Sequence, residues 1–94
     1  MAKVTINDLI KLKAKGEKFA CLTAYDATFS RLISQSGIEV ILVGDSLGNV
    51  IQGHKTTLQV TTKDMAYHTA CVAKTDPRSL VITDLPFMSY QTSD

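Results

Sequence analysis

Val40-Ile41-Leu42-Val43-Gly44-Asp45-Ser46-Leu47-Gly48 decides how this chain is read. The first four residues are apolar and mostly β-branched, the pattern of a short strand buried on both faces. The run stops at a glycine-rich turn that presents a carboxylate and a hydroxyl side by side. A second apolar run, Leu80-Val81-Ile82, leads through Thr83 to another carboxylate, Asp84. Two acids at the ends of two strands are the feature that a functional reading has to explain.

Upstream of this stretch, Phe19-Ala20-Cys21-Leu22-Thr23 has the same uninterrupted apolar character and predicts a further strand buried on both faces. Between the two runs, Asp26 can cap a helix over about 27–36, with Phe29, Leu32 and Ile33 on one face and Gly37 as its stop. Ahead of the first strand, residues 5–15 predict a helix capped by Thr5, with Asp8 at the third position, Val4 and Leu9 at staple spacing, and Gly16 at its end. Its apolar stripe is narrow (Ile6, Leu9, Ile10), so it is expected to lie across something larger. Lys11, Lys13, Lys15 and Lys18 read as a solvated face near a helix C-terminus.

Downstream, residues 47–60 form a connection longer than compact α/β units usually need. Within it, 50–52 and 57–60 flank Gly53-His54-Lys55 and are expected to form a small two-stranded flap. A helix starts near Thr61 with Asp64 three residues on. It carries Met65, Thr69, Val72 and Ala73 on one face and ends before Asp76-Pro77. Phe87, Met88 and Tyr90 are expected to pack around the exit of the third strand, and 91–94 to begin another capped helix.

A helix followed by β-α-β-α-β predicts parallel strands joined by right-handed crossovers. Three strands neither close a barrel nor complete an open sheet whose faces both need cover. A (β/α)8 barrel takes about 250 residues, so a chain of 94 residues is expected to supply the first three β/α units of one, after an N-terminal helix. Residues 1–94 read as part of a single domain, with no internal boundary.

Composition narrows the field. A formal net charge of +1 gives no electrostatic reason to expect nucleic acid or a membrane surface as partner. No apolar run reaches the length that spans a bilayer, and Met1-Ala2-Lys3-Val4 opens neither a signal nor a transit peptide. Cys21 and Cys71 lack metal-ligand or redox spacing and read as reduced, packed thiols of a cytoplasmic protein.

In parallel α/β folds, ligands bind at the C-terminal ends of the strands. Asp45 and Asp84 both stand there. Adjacent strands lie about 4.8 Å apart, so the two carboxylates can approach one small cation. Oxygen-only ligation favours Mg2+, which keeps several waters and leaves positions for substrate. A 2-oxo acid would chelate such an ion through its carboxylate and keto oxygens, and the ion would act as a Lewis acid when a proton leaves the carbon beside the ketone. Taken singly, each acid is better read as a turn or helix cap; taken together, with Gly44, Ser46 and a long loop, they favour a metal site.

Gly44-Asp45-Ser46-Leu47 also matches the signature of the GDSL-type serine hydrolases, where the serine is a nucleophile with a histidine base. That motif normally follows the first strand of its domain, whereas a whole β-α unit precedes it here. Ser46 is therefore preferred as a group that binds a substrate carboxylate. Tyr25, just past the first strand, either reaches the same mouth or packs. His54 either approaches a ligand from the flap or stabilises its turn. His68 is taken as a packed or half-exposed helix residue.

Five blocks occur in order: Thr23-Ala24-Tyr25-Asp26, Val43-Gly44-Asp45-Ser46-Leu47-Gly48, Gln52-Gly53-His54, Ala66-Tyr67-His68-Thr69-Ala70 and Asp84-Leu85-Pro86-Phe87-Met88. In that register the chain resembles the N-terminal third of the ketopantoate hydroxymethyltransferase family. The resemblance implies a (β/α)8 barrel in a large homo-oligomer, commonly a decamer. It implies transfer of a hydroxymethyl group from 5,10-methylenetetrahydrofolate to 3-methyl-2-oxobutanoate, giving 2-dehydropantoate for pantothenate and coenzyme A synthesis. Asp45 and Asp84 match the family's Mg2+ ligands, and Asp45, Ser46 and Asp84 match positions that contact the oxo acid. The family's remaining acidic ligand, its substrate-binding lysine and its catalytic glutamate lie on later strands, so no catalytic base is assigned here and the chain alone is expected to be inactive. Gln59 stands where proline is common. Two other classes remain in view: a Mg-dependent 2-oxo-acid or phosphoenolpyruvate lyase or mutase of the same barrel superfamily, and a non-catalytic α/β module that binds a cation as receiver domains do.

Overall fold

A computed structural model describes residues 3–86. Expectations for Phe87, Met88, Tyr90 and 91–94 lie outside the described residues. Helix α1 spans Ile6–Ala14, β1 Cys21–Thr23, α2 Ala27–Gln35, β2 Val40–Val43, α3 Leu47–Val50, α4 Thr62–Ala73 and β3 Leu80–Thr83. The three strands are parallel in the order β1-β2-β3. The fold is thus α/β with crossovers through α2 and α4, as the alternation predicts.

The helix starts follow their sequence signals. Thr5 and Thr61 each close a capping box, with Asp8 and Asp64 accepting from the cap backbone N–H at 2.8 and 3.0 Å. Those two bonds from the Thr5 and Thr61 N–H groups hold the carboxyls of Asp8 and Asp64 below the usual carboxylate range. The Asp26 side chain accepts from Phe29 N at 2.8 Å and starts α2. Gly16 and Gly37 end α1 and α2 at φ 72° and 84°, a left-handed geometry that glycine adopts without a Cβ penalty.

The core lies between the sheet and α4. Ala24, Ile41, Val43, Leu47, Val60, Met65 and Val72 form one buried cluster, with Tyr25, Ile33 and Val81 packed against it. Ile41 and Val43 point to the same face of the pleat, so this is the helix-covered face. Burial on both faces holds only for β2. All of β1 is exposed, and β3 runs from half-buried to exposed. The reason is positional: β2 has a strand on each side, whereas β1 and β3 are edges among the described strands.

Two helices leave apolar side chains uncovered among the described residues. On α2, Phe29 and Leu32 are exposed, and the buried residue is Ser30. Its hydroxyl donates to Val72 O at 3.2 Å and meets Thr75 Oγ1 at 3.1 Å, so a small polar side chain fills the α2–α4 contact and turns the apolar pair outward. On α1 no residue is buried, and Ile6 and Ile10 face solvent. Cys21 and Cys71 are both free as expected, but Cys21 is exposed rather than packed, since β1 is open.

The flap does not form. Residues 47–50 wind into α3 instead, and the turn continues with Ile51 N and Gln52 N donating to Leu47 O at 2.8 and 3.0 Å and His54 N donating to Gly48 O at 2.8 Å. These local bonds use the donors that a strand ladder would need. Val60 N in turn donates to Thr57 O at 3.2 Å. Among the described residues, no helix is long and apolar enough to cross a membrane.

Candidate functional site at the strand ends

Register assembles the site. Thr23 pairs with Leu42, and Val43 with Thr83. One step past the last pairs, Gly44 and Asp84 stand level, and Tyr25 falls on the same row. Asp84 N donates to Val43 O at 3.0 Å and Ala24 N to Leu42 O at 3.2 Å, so the ladder carries on as the chains leave the sheet.

Gly44 is buried, and the space where its Cβ would stand is occupied. That position lies 3.3 Å from Asp84 Oδ2 and 3.7 Å from Ser46 Oγ. The glycine therefore leaves room for a carboxylate from β3 and a hydroxyl from the β2–α3 turn to converge over one backbone atom. Ser46 begins α3 in a helical conformation (φ −58°, ψ −13°), and its side chain makes no capping bond. Its hydroxyl instead meets the Tyr25 hydroxyl at 2.5 Å. Tyr25 thus combines the two alternatives its position allowed: it packs against the core cluster, and its hydroxyl meets Ser46. The partner of Ser46 is a phenol and not a histidine, which is not the arrangement that activates a serine nucleophile.

Asp45 lies between Gly44 and Ser46 and is half-buried; Asp84 is exposed. Among the described residues, the one ion pair joins Lys3 and Asp76 at 3.7 Å, so none of the described cations pairs with either acid. No group of three His, Cys, Asp or Glu converges among the described residues. Two carboxylates with open oxygens suit Mg2+, which binds through one or two carboxylates plus water and substrate. They do not suit a closed four-ligand site of the structural zinc type.

His54 does not join this cluster through a hydrogen bond. Its amide bonds Gly48 O, and its carbonyl accepts from Asn49 Nδ2 at 2.9 Å, so its backbone stabilises the turn. His68 is half-buried on α4, as its reading as a packed or half-exposed helix residue has it, but it also makes a contact that reading does not contain. Its Nδ1 lies 2.7 Å from Tyr25 O, across 43 positions of chain. The one available signal was the block Tyr67-His68 on a helix following the Tyr25 strand, which carries no information about contact.

Comparison with known proteins decides the family. Residues 3–94 match the family described as Ketopantoate hydroxymethyltransferase. The chain belongs to that family. It is 62% identical over 91 residues to the 3-methyl-2-oxobutanoate hydroxymethyltransferase of Methylococcus capsulatus, covering 97% of this chain and 34% of the relative. It is 57% identical over 94 residues to the Pseudomonas putida enzyme of that name, covering all of this chain and 35% of the relative. For the Shewanella sediminis enzyme of that name the identity is 55% over 94 residues, covering all of this chain and 36% of the relative. The chain therefore spans about a third of the length of the curated relatives it matches.

Proposed function

We propose that residues 1–94 form the first three β/α units of a single (β/α)8 barrel that transfers a hydroxymethyl group from 5,10-methylenetetrahydrofolate to 3-methyl-2-oxobutanoate. The product would be 2-dehydropantoate. The observation that carries this reading is the convergence of Asp84 Oδ2 and Ser46 Oγ over Gly44, in a chain whose relatives bear that enzyme's name. The sheet supports the barrel: its strands follow chain order, run parallel and leave both edges open.

In this reading Asp45 and Asp84 would hold Mg2+, which would supply Lewis acidity toward the oxo acid. Ser46 binds the carboxylate end of the oxo acid, and its hydroxyl is oriented by Tyr25. Gly44 lets Asp84 sit close to the strand ends. The group that removes the proton beside the ketone comes from the later strands of the barrel. The enzyme works in the cytoplasm as a homo-oligomer, a decamer in its full-length form.

The test is a full-length chimera in which residues 1–94 replace the matching segment of the Methylococcus capsulatus relative. It is expected to form 2-dehydropantoate only when methylenetetrahydrofolate and Mg2+ are both supplied, and to lose turnover when the metal is chelated. Activity on the oxo acid that is indifferent to folate would point to a lyase or mutase instead.

Stability of the same chimera tests the turn that carries Asp45 and Ser46. An alanine Cβ at Gly48 would stand 2.5 Å from Val60 Cγ2. Val60 is buried and β-branched, so it has little freedom to move aside. Overpacking of this kind costs about 1–3 kcal/mol, more than the ~1 kcal/mol that alanine gains over glycine in a helix. Gly48→Ala is expected to lower the Tm of the full-length chimera by a few degrees, on the order of 2–4 °C per kcal/mol for a protein of that larger size. An unchanged or raised Tm would show that α3 and the 57–60 turn are not tightly packed.

A further inference from the structure

We propose that His68 is a positioning residue for the oxo-acid site: it holds the backbone of Tyr25, and Tyr25 fixes the Ser46 hydroxyl. This rests on the reading of Ser46 as a substrate-binding group given above. A backbone carbonyl can only accept, so the 2.7 Å contact between His68 Nδ1 and Tyr25 O requires the proton on Nδ1. In the neutral ring Nε2 is then bare. The ring is half-buried, and Tyr67 stands edge-on to it at 5.1 Å and 84°.

Tyr25 needs such a hold because the sheet does not provide one. The pairing of β1 with β2 ends at Thr23 and Leu42, and the last ladder bond on this side is Ala24 N to Leu42 O. The next fixed point is Asp26, which caps α2. Tyr25 sits between them, past the end of β1 and half-buried against the core cluster. His68 ties its carbonyl to α4, a helix anchored in the core by Met65 and Val72. The phenol is thereby held where its oxygen meets Ser46 Oγ. Three elements far apart in the chain, β1, the β2–α3 turn and α4, are joined through two hydrogen bonds.

The chimera described above provides the assay. His68→Ala is expected to raise the KM for 3-methyl-2-oxobutanoate and lower kcat/KM by about tenfold, the low end of what loss of an outer partner costs at metal ligands. The change in kcat is expected to be smaller. His68→Asn, whose side-chain amide can donate from near the Nδ1 position, should recover to within about threefold of the unsubstituted chimera. His68→Phe fills the space without a donor and should stay with alanine. Nitrogen-15 spectra of the ring should show Nδ1 protonated. Alanine within twofold of the unsubstituted protein, asparagine no better than phenylalanine, or a neutral ring protonated at Nε2 would each overturn the proposal. Failure of the underlying reading shows differently: the unsubstituted chimera lacks folate-dependent turnover while the ring still reports Nδ1–H, and the positioning role falls with it.

Discussion

Asp84→Asn, carried in the full-length chimera, is expected to lower kcat/KM for 3-methyl-2-oxobutanoate by at least about a thousandfold, with an unchanged melting temperature. Asparagine keeps the shape of aspartate and removes its charge. Among the described residues little else is offered to a cation: Asp45 is the other acid at these strand ends, and no group of three ligating side chains forms there. Losing one of two carboxylates weakens both the hold on Mg2+ and the charge stabilisation that depends on it. Metal polarisation of a carbonyl is worth several kcal/mol, and about 1.4 kcal/mol corresponds to a factor of ten in rate. The side chain of Asp84 is exposed and has no ion-pair partner among the described residues, so stability should not suffer. Asp45→Asn is expected to behave in the same way. Retention of more than a tenth of the activity by Asp84→Asn would remove this residue from the metal site.

The 94-residue chain by itself is expected to show no cooperative thermal transition, to bind a hydrophobic dye such as ANS, and to lack turnover of the oxo acid. Twelve large apolar side chains are exposed among the described residues, including Leu22 at 49%, Phe29 at 59%, Leu32 at 54% and Ile82 at 44%. Full burial of one such side chain contributes about 1.5–3 kcal/mol. Leaving half of each in water therefore forgoes on the order of 10 kcal/mol in all, comparable with the whole net stability of a domain, about 5–15 kcal/mol. Two strand edges are open as well, which invites association of chains through their unpaired backbone groups. Circular dichroism melting and dye fluorescence of the purified chain, beside the chimera, make the comparison. A single sharp transition in the 94-residue chain would overturn this expectation and favour a compact cation-binding module.

Much of the fold was legible because its signals are local. Thr5 with Asp8 and Thr61 with Asp64 announce helix starts through bonds that span three residues, and the structure forms both boxes. Gly16 and Gly37 mark helix ends through a backbone conformation that other residues resist. Val40–Val43 and Leu80–Thr83 appear as strands at their expected bounds. The flap was misread because alternating apolar residues in 50–60 resemble strands, while α3 is secured by Leu47 and Gly48 packing into the core. Periodicity holds no record of that packing. The apolar face of Phe29, Leu32 and Ile33 likewise carries no record of what covers it: Ile33 packs on the core, while Ser30, which has no hydrophobic signal, meets α4.

The sequence alone determined that Gly44, Asp45 and Ser46 follow a strand and that Asp84 follows another. That much depends on residues adjacent in the chain, and it was enough to place two acids and a hydroxyl at strand ends and to reach the family. Only the tertiary structure decided what these groups face. The pairing of Val43 with Thr83 brings Asp84 over Gly44. The approach of Tyr25 turns Ser46 away from capping and into the mouth. The bond from His68 joins a helix to a strand end 43 positions away. Such contacts are set by strand register and helix packing, which combine residues distant in sequence, so no local pattern announces them.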